Sequence, residues 1–226
     1  MSKFIPQRKI KIKWSPNFAY ALGLITADGC LSPDKRHIIF KSIDKELVRN
    51  VKIAFLLKNK ITVKAKNKTK YKKCFEIQFG DIIFYQFLNK IGLKSAKSKT
   101  IKKVRVPNKF FADFLRGLFD GDGTFYSYWD KRWPNSFVFQ ISFASSSLKF
   151  LMWLKSKLNK LYKVKGFVCK GKGVFNLRYV KRDSRKLFLK MYYNKNSLIL
   201  LRKYVKIKNT LIKDEIIKQN AWVAQW

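Results

Sequence analysis

The chemistry this sequence can do rests on two aspartates. Asp28 lies near the end of ALGLITADG (Ala21 to Gly29), and Asp122 near the end of LRGLFDGDG (Leu115 to Gly123). In each segment a glycine (Gly23, Gly117) is followed four positions later by a small residue (Ala27, Gly121), then the aspartate, then a closing glycine (Gly29, Gly123). Residues four apart share one face of a helix. Each segment therefore offers a stripe without bulk, along which two helices can approach closer than the usual 8–10 Å or so. The closing glycines are expected to stop each helix in a left-handed conformation. That leaves Asp28 and Asp122 beside carbonyls without helical partners, at the end of the dipole that is already negative. A bound cation would remove the conflict, with the carbonyls of Ala27 and Gly121 as further ligands. Hard oxygen donors suit Mg²⁺, and two adjacent aspartates suit a two-metal, in-line attack on a phosphodiester. Asp120 falls where the first copy has Thr26, so it is read as a structural or cap-side group.

The elements that must position these residues occur twice. After the first segment, Arg36 to Ser42 reads as a strand with Ile38 and Phe40 facing in. Asp44 to Leu57 has helical spacing, Ile61 to Ala65 and Cys74 to Phe79 form a hairpin, and a helix from Asp81 is closed by Gly92. In the second half, Phe125 to Asp130 and Phe137 to Phe143 are strands, and Ser145 to Ser147 cap a helix through Leu158. Val164 to Val168 and Val174 to Val180 form another hairpin, and helices near Asp183 to Tyr193 and Ser197 to Glu215 follow. The expected fold is α+β: two pseudo-symmetric αββαββα halves, 1–100 (with an N-terminal arm, 1–14) and 101–226, each with an antiparallel sheet. The Lys- and Ser-rich stretch from Leu93 to Pro107 reads as the linker.

Composition supplies the partner. Fifty-one Lys+Arg against 13 Asp+Glu give a net charge of +38, while a 47% hydrophobic content still allows a packed core. Such self-repulsion points to a polyanion, and above all to nucleic acid. No apolar stretch approaches the roughly 18 residues that would cross a bilayer, and MSKFIPQRKIKIKW lacks the apolar region of a secretory signal. No membrane role is therefore expected. Cys30, Cys74 and Cys169 are odd in number, with no C-x-x-C spacing, which argues against a zinc or disulfide framework and for a reducing compartment. His37, the sole histidine, reads as a surface group. Metal chemistry must then use oxygen ligands.

With both segments in place, the chain resembles a monomeric, two-motif LAGLIDADG homing endonuclease over nearly its whole length after Trp14. The resemblance implies a saddle whose strands lie in the DNA major groove and whose motif helices form the interface, at Gly23, Ala27, Gly117 and Gly121. It implies two or three divalent cations, Mg²⁺ by preference, held near Asp28 and Asp122. The implied activity is site-specific double-strand cleavage of intron-homing type, leaving short 3′ overhangs. A basic residue near each scissile phosphate is also implied, and Lys97 and Lys195 are the candidates. The outward strand faces read as DNA contacts: Lys41, Lys64, Lys66, Glu76 and Gln78 in the first half, and Tyr126, Tyr128, Gln140, Ser142, Lys165, Asn176 and Arg178 in the second. Gln, Asn and Arg can bond base edges bidentately, while lysines contact phosphates. The halves differ at nearly every such position, so the target should be long and asymmetric. Two alternatives remain on the same fold: an RNA maturase acting on intron RNA, and a non-cleaving DNA-binding regulator. The setting is expected to be intracellular, in an organelle or a prokaryotic cytoplasm.

Overall fold

The computed structural model describes residues 9–65 and 73–223; Lys66 lies outside them. Both halves follow one plan. In the first, α1 (Pro16–Asp28) leads into β1 (Gly29–Leu31) and β2 (His37–Ser42). Then come α2 (Lys45–Ala54), β3 (Thr62–Ala65), β4 (Lys73–Gly80) and α3 (Ile82–Ile91). After a short helix α4 (Lys97–Thr100), the second half runs α5 (Phe111–Asp122), β5 (Gly123–Asp130), β6 (Trp133–Ser145), α6 (Leu148–Tyr162), β7 (Phe167–Lys170), β8 (Phe175–Val180) and α7 (Lys181–Met191). A further long helix, α8 (Leu201–Val223), follows. The two antiparallel sheets have equivalent orders, β1-β2-β4-β3 and β5-β6-β8-β7.

Period-two alternation decides which sheet face is core. Ile38 and Phe40 pair with Phe79 and Ile77, and Phe143 with Leu177; all are buried against the helices. At the centre, α1 and α5 pack on each other so tightly that backbone meets backbone. A Cβ added at Gly117 would collide with the Tyr20 carbonyl, and one at Gly23 with the Phe114 carbonyl and, at 2.7 Å, with the Leu118 nitrogen. The small-residue stripes do meet, and they do so without room for a methyl group.

Several elements depart from the expected spans, each for a local reason. Gly29 and Gly123 are not left-handed: their φ values are −74° and −75°, and the chain passes straight from helix into strand. Glycine is needed there for space, because a Cβ would stand 2.6 Å from the Ile25 carbonyl oxygen or 2.5 Å from that of Phe119. Helix α2 stops at Ala54 because Leu56 turns left-handed (φ 53°) and the Leu57 amide reaches back to the Lys52 carbonyl. The last helix begins at Leu201, not Ser197. The Leu200 amide is taken by Asp120, and the Leu198 and Ile199 carbonyls are taken by Arg116 and Asn50. Strand β7 starts at Phe167 rather than Val164, since the Lys165 amide donates to Asp183 and the Val164 carbonyl accepts from Asn159. The linker is anchored: Leu93, Ile101, Val104 and Val106 are buried, and the Arg105 amide bonds the Ile91 carbonyl.

Candidate metal centre and nucleic-acid interface

Helix contact sets the geometry of the candidate site. Ser15 accepts from the Phe18 amide and Pro16 opens the first turn of α1, so the register of that helix is set at its far end. Its last residue, Asp28, then lies against the end of α5: a Cβ on Gly121 would come within 3.4 Å of Asp28 Oδ2 and 2.5 Å of Ala27 Cβ. Only glycine at 121 lets the two carboxylates share one place. Both aspartates keep an exposed side while protein crowds the other. That crowding pushes Asp122 up to about 6, the neighbouring Asp28 charge adds to the shift, and Lys97 and Lys203 oppose it. Asp28 is also raised, again first by desolvation, with Lys97 and Lys203 opposing. Two carboxylates raised by burial, Asp122 also by the charge of Asp28, make a place where a cation gains.

Two lysines close the helix ends. Lys97, buried at the start of α4, donates to the Gly29 carbonyl just after α1. Lys203 of α8 does the same for α5 several times over, reaching the carbonyls of Phe119 and Asp120 at 2.8 Å, Gly121 at 3.2 Å and Gly123 at 2.6 Å. Burial pulls the Lys203 ammonium down to about 8, against the upward pull of Asp120. Lys195, by contrast, is exposed beyond α7 and is not among the charges acting on either aspartate. The structure therefore brings Lys97 and Lys203 beside the two aspartates, and Lys195 is not among the charges that act on them. Lys203 lay one helix too far along the chain to be found from the repeat. Its one sequence signal is the pair Lys203 and Lys206, three apart on one face of α8; Lys206 bonds the Phe125 carbonyl at 3.0 Å.

Asp120 is not part of the carboxylate pair. It is buried and accepts from Tyr20 (2.8 Å), Tyr192 (2.9 Å) and the Leu200 amide (2.8 Å), tying α1, the end of α7 and the start of α8 together. Nearby, Arg116 is fully buried, paired with Asp113 at 2.9 Å and bonded to the Met191 and Leu198 carbonyls.

Among the described residues no cluster of three or more His, Cys, Asp or Glu could hold a metal. The donor set that fits one is the Asp28 and Asp122 carboxylates with main-chain oxygens. The Gly121 carbonyl expected to serve there already accepts from Lys203; the environment of the Ala27 carbonyl carries no such competitor among the hydrogen bonds of the described residues. Hard oxygens and two raised carboxylates fit a hard divalent cation.

On the outer sheet faces, Lys41 and Lys64 clasp Glu76 at 2.7 and 3.0 Å, and Glu76 is only 4% exposed. Glu76 thus sits beneath lysines rather than presenting itself. Gln78 is exposed on the same strand. In the second sheet Tyr126 and Tyr128 are exposed, with Gln140 opposite Tyr126. Arg178 lies opposite Ser142 and Phe167. Ser142 is buried, held low between Thr124 and Arg178. Asn176 is half-buried on β8. Lys165 is off the sheet, for the reason given above.

Two αββαββα halves joined through small-residue helices, with one aspartate at the end of each, define a two-repeat protein of the saddle type. The LAGLIDADG-like domain model matches residues 15–100 and again 109–192, and the chain belongs to that family. Among solved structures, the meganuclease I-AabMI bound to uncleaved DNA is similar with a TM-score of 0.63, 13% identity and 92% of each chain covered. I-DmoI in complex with DNA and Mn gives 0.51 at 16% identity, covering 79% of this chain and 97% of that one. Full-length DUF199/WhiA from Thermatoga maritima gives 0.56 at 14% identity, covering 93% of this chain and 69% of that one. These likenesses establish the fold. No curated protein sequence matches the chain.

Proposed function

We propose that this chain is a site-specific, divalent-metal-dependent DNA endonuclease of homing type that acts as a monomer. It would cut both strands of a long asymmetric target and leave short 3′ overhangs. The observation that carries the reading is the meeting of Asp28 and Asp122 across a helix contact with no room for a side chain at Gly23, Gly117 or Gly121. Fold alone does not confer activity; a carboxylate pair crowded until both acids are raised is a site built around positive charge. The DNA- and Mn-bound neighbours are consistent with this partner and cofactor class.

The chain's own residues divide the work. The sheets present Gln78, Gln140, Asn176 and Arg178 to base edges, and the lysines anchor phosphates. Asp28 and Asp122 would hold the cation, Mg²⁺ by preference, between the halves. When bound, it would supply Lewis-acid stabilisation and a more acidic water. Lys97 and Lys203 hold the ends of α1 and α5, keeping the two carboxylates in register, and add positive charge where phosphate oxygens would lie.

The test is digestion of a plasmid carrying the intronless form of the locus that encodes the chain, with and without Mg²⁺. Linearisation only with Mg²⁺ is expected. Asp28→Asn and Asp122→Asn should each abolish double-strand cleavage and leave duplex binding within about twofold, since no phosphate contact is lost. Binding without cleavage in Mg²⁺ would replace this reading with the non-cleaving regulator; selective binding of the intron transcript would replace it with the maturase.

A further inference from the structure

Three concavities on the flank of the molecule share lining residues. A cavity of about 240 Å³ opens beside Asp122 and includes Lys97 and Ile101. Those two residues also line a groove of about 500 Å³ along the linker. That groove in turn shares Lys90, Ile91, Lys103 and Arg105 with a cleft of about 590 Å³ whose walls include Trp14 and Trp153. The cleft adjoins the N-terminal ends of α1 and α5, and the aspartates lie at their C-terminal ends. Twelve- and thirteen-residue helices at about 1.5 Å per residue separate the two by roughly 20 Å.

The track has a definite chemistry. Lys90, Lys94, Lys102, Lys103 and Arg105 are exposed along it, no carboxylate lines the groove or the cleft, and none of the five is ion-paired among the described residues. Its floor is set by the anchored linker, whose Lys103 carbonyl packs on left-handed Gly92. At the far end the indoles are half-buried, Trp153 against Phe111 and Phe150 and Trp14 against Phe87 and Phe110. Unopposed cations in a row, ending on aromatic surface, match a flexible polyanion with stackable rings, which is single-stranded nucleic acid. An acidic peptide would satisfy the charge but need carry no rings to stack on the two indoles.

We propose that this linker groove binds single-stranded DNA, taking a strand that emerges from beside Asp122 and leading it past Lys103 and Arg105 to the Trp14–Trp153 cleft. The direction of travel rests on the nuclease reading; the groove's affinity for a single strand does not.

The experiment uses the full chain and a short fluorescein-labelled single-stranded DNA, followed by anisotropy. Lys103→Glu/Arg105→Glu should weaken single-strand binding about tenfold or more and leave duplex binding within about twofold. A reversal of equal charge elsewhere, Lys186→Glu/Lys190→Glu at two exposed positions of α7, should change single-strand binding by no more than about twofold. Asp28→Asn, at a residue that lines none of the three concavities, should bind the single strand like the parent, so loss of cleavage and loss of the groove are read separately. Equal losses in the two charge-reversed pairs would reduce the effect to bulk charge and overturn the proposal. So would full displacement of the single strand by one equivalent of duplex, about tenfold tighter binding of the same sequence as RNA, or stronger competition by polyglutamate than by unlabelled single strand.

Discussion

At the scale of the residue, the decisive quantity is how much burial and the Asp28 charge disturb Asp122. Asp122 is raised to about 6, first by burial and then by Asp28. The carboxyl carbon of Asp122 should therefore titrate near pH 6 in metal-free protein, measured by NMR. Asp28→Asn should move that midpoint down, and Lys203→Met should move it up. The sign of the linkage follows from the direction: between the unfolded value near 4 and about 6, the folded chain binds the extra proton. This group therefore removes stability as pH rises through that window and adds no further change above it. Asp120, also raised to about 6 by burial, acts in the same direction, eased by its bonds from Tyr20 and Tyr192. Mg²⁺ should accordingly raise Tm at pH 7 and lose that effect below about pH 5, where protons hold the site.

At the scale of the element, the α1–α5 contact and the capping of its ends are the features under most constraint. Even alanine should be too large at Gly117, since its Cβ would collide with the Tyr20 carbonyl. Gly117→Ala should cost about 1–3 kcal/mol and Gly117→Leu more, by overpacking. Gly173→Ala, where a Cβ meets nothing but φ is +74°, should cost only about 1 kcal/mol. Thermal or denaturant melts check both, and an unchanged Tm for Gly117→Leu would sink the close-contact argument. Lys203→Met strips a cation from four helix-end carbonyls. It should cost on the order of 1–3 kcal/mol and slow cleavage, whereas Lys195→Ala should leave both stability and rate unchanged.

At the scale of the whole molecule, a charge of +38 makes binding easy and selectivity the harder problem. Most lysines should add salt-sensitive affinity for any duplex, with log K falling by about 0.9 per neutralised phosphate per unit log salt. Arg178→Ala should instead relax preference at one or two base pairs, each worth about 1–3 kcal/mol, while Lys66→Ala weakens all sequences alike. Titrating every single-base variant of the target at two salt concentrations separates these outcomes; a uniform loss for Arg178→Ala would mean that β8 does not read bases. Glu76→Gln releases Lys41 and Lys64 from their shared carboxylate, so it should tighten binding to all duplexes and steepen the salt dependence.

The sequence by itself determined the repeat, the two aspartates and the closely packed stripes. It also determined which face of each main strand is core, because hydrophobic period and small-residue spacing are local patterns. It could place Glu76 on the outer face, but not beneath two lysines, since that depends on cross-strand register. Element boundaries differ from the expected spans where a distant group captures a main-chain amide or carbonyl, as Asp120 does at Leu200 before α8 and Asp183 at Lys165 before β7. Only the tertiary structure decided that Gly29 and Gly123 serve close approach in an extended backbone, because that requires knowing what lies within 3 Å of an absent Cβ. Only it could bring Lys203 to the end of α5: a long lysine side chain goes to whichever unpartnered carbonyls the fold brings within reach, and those of Phe119 to Gly123 lie some eighty residues away in the chain.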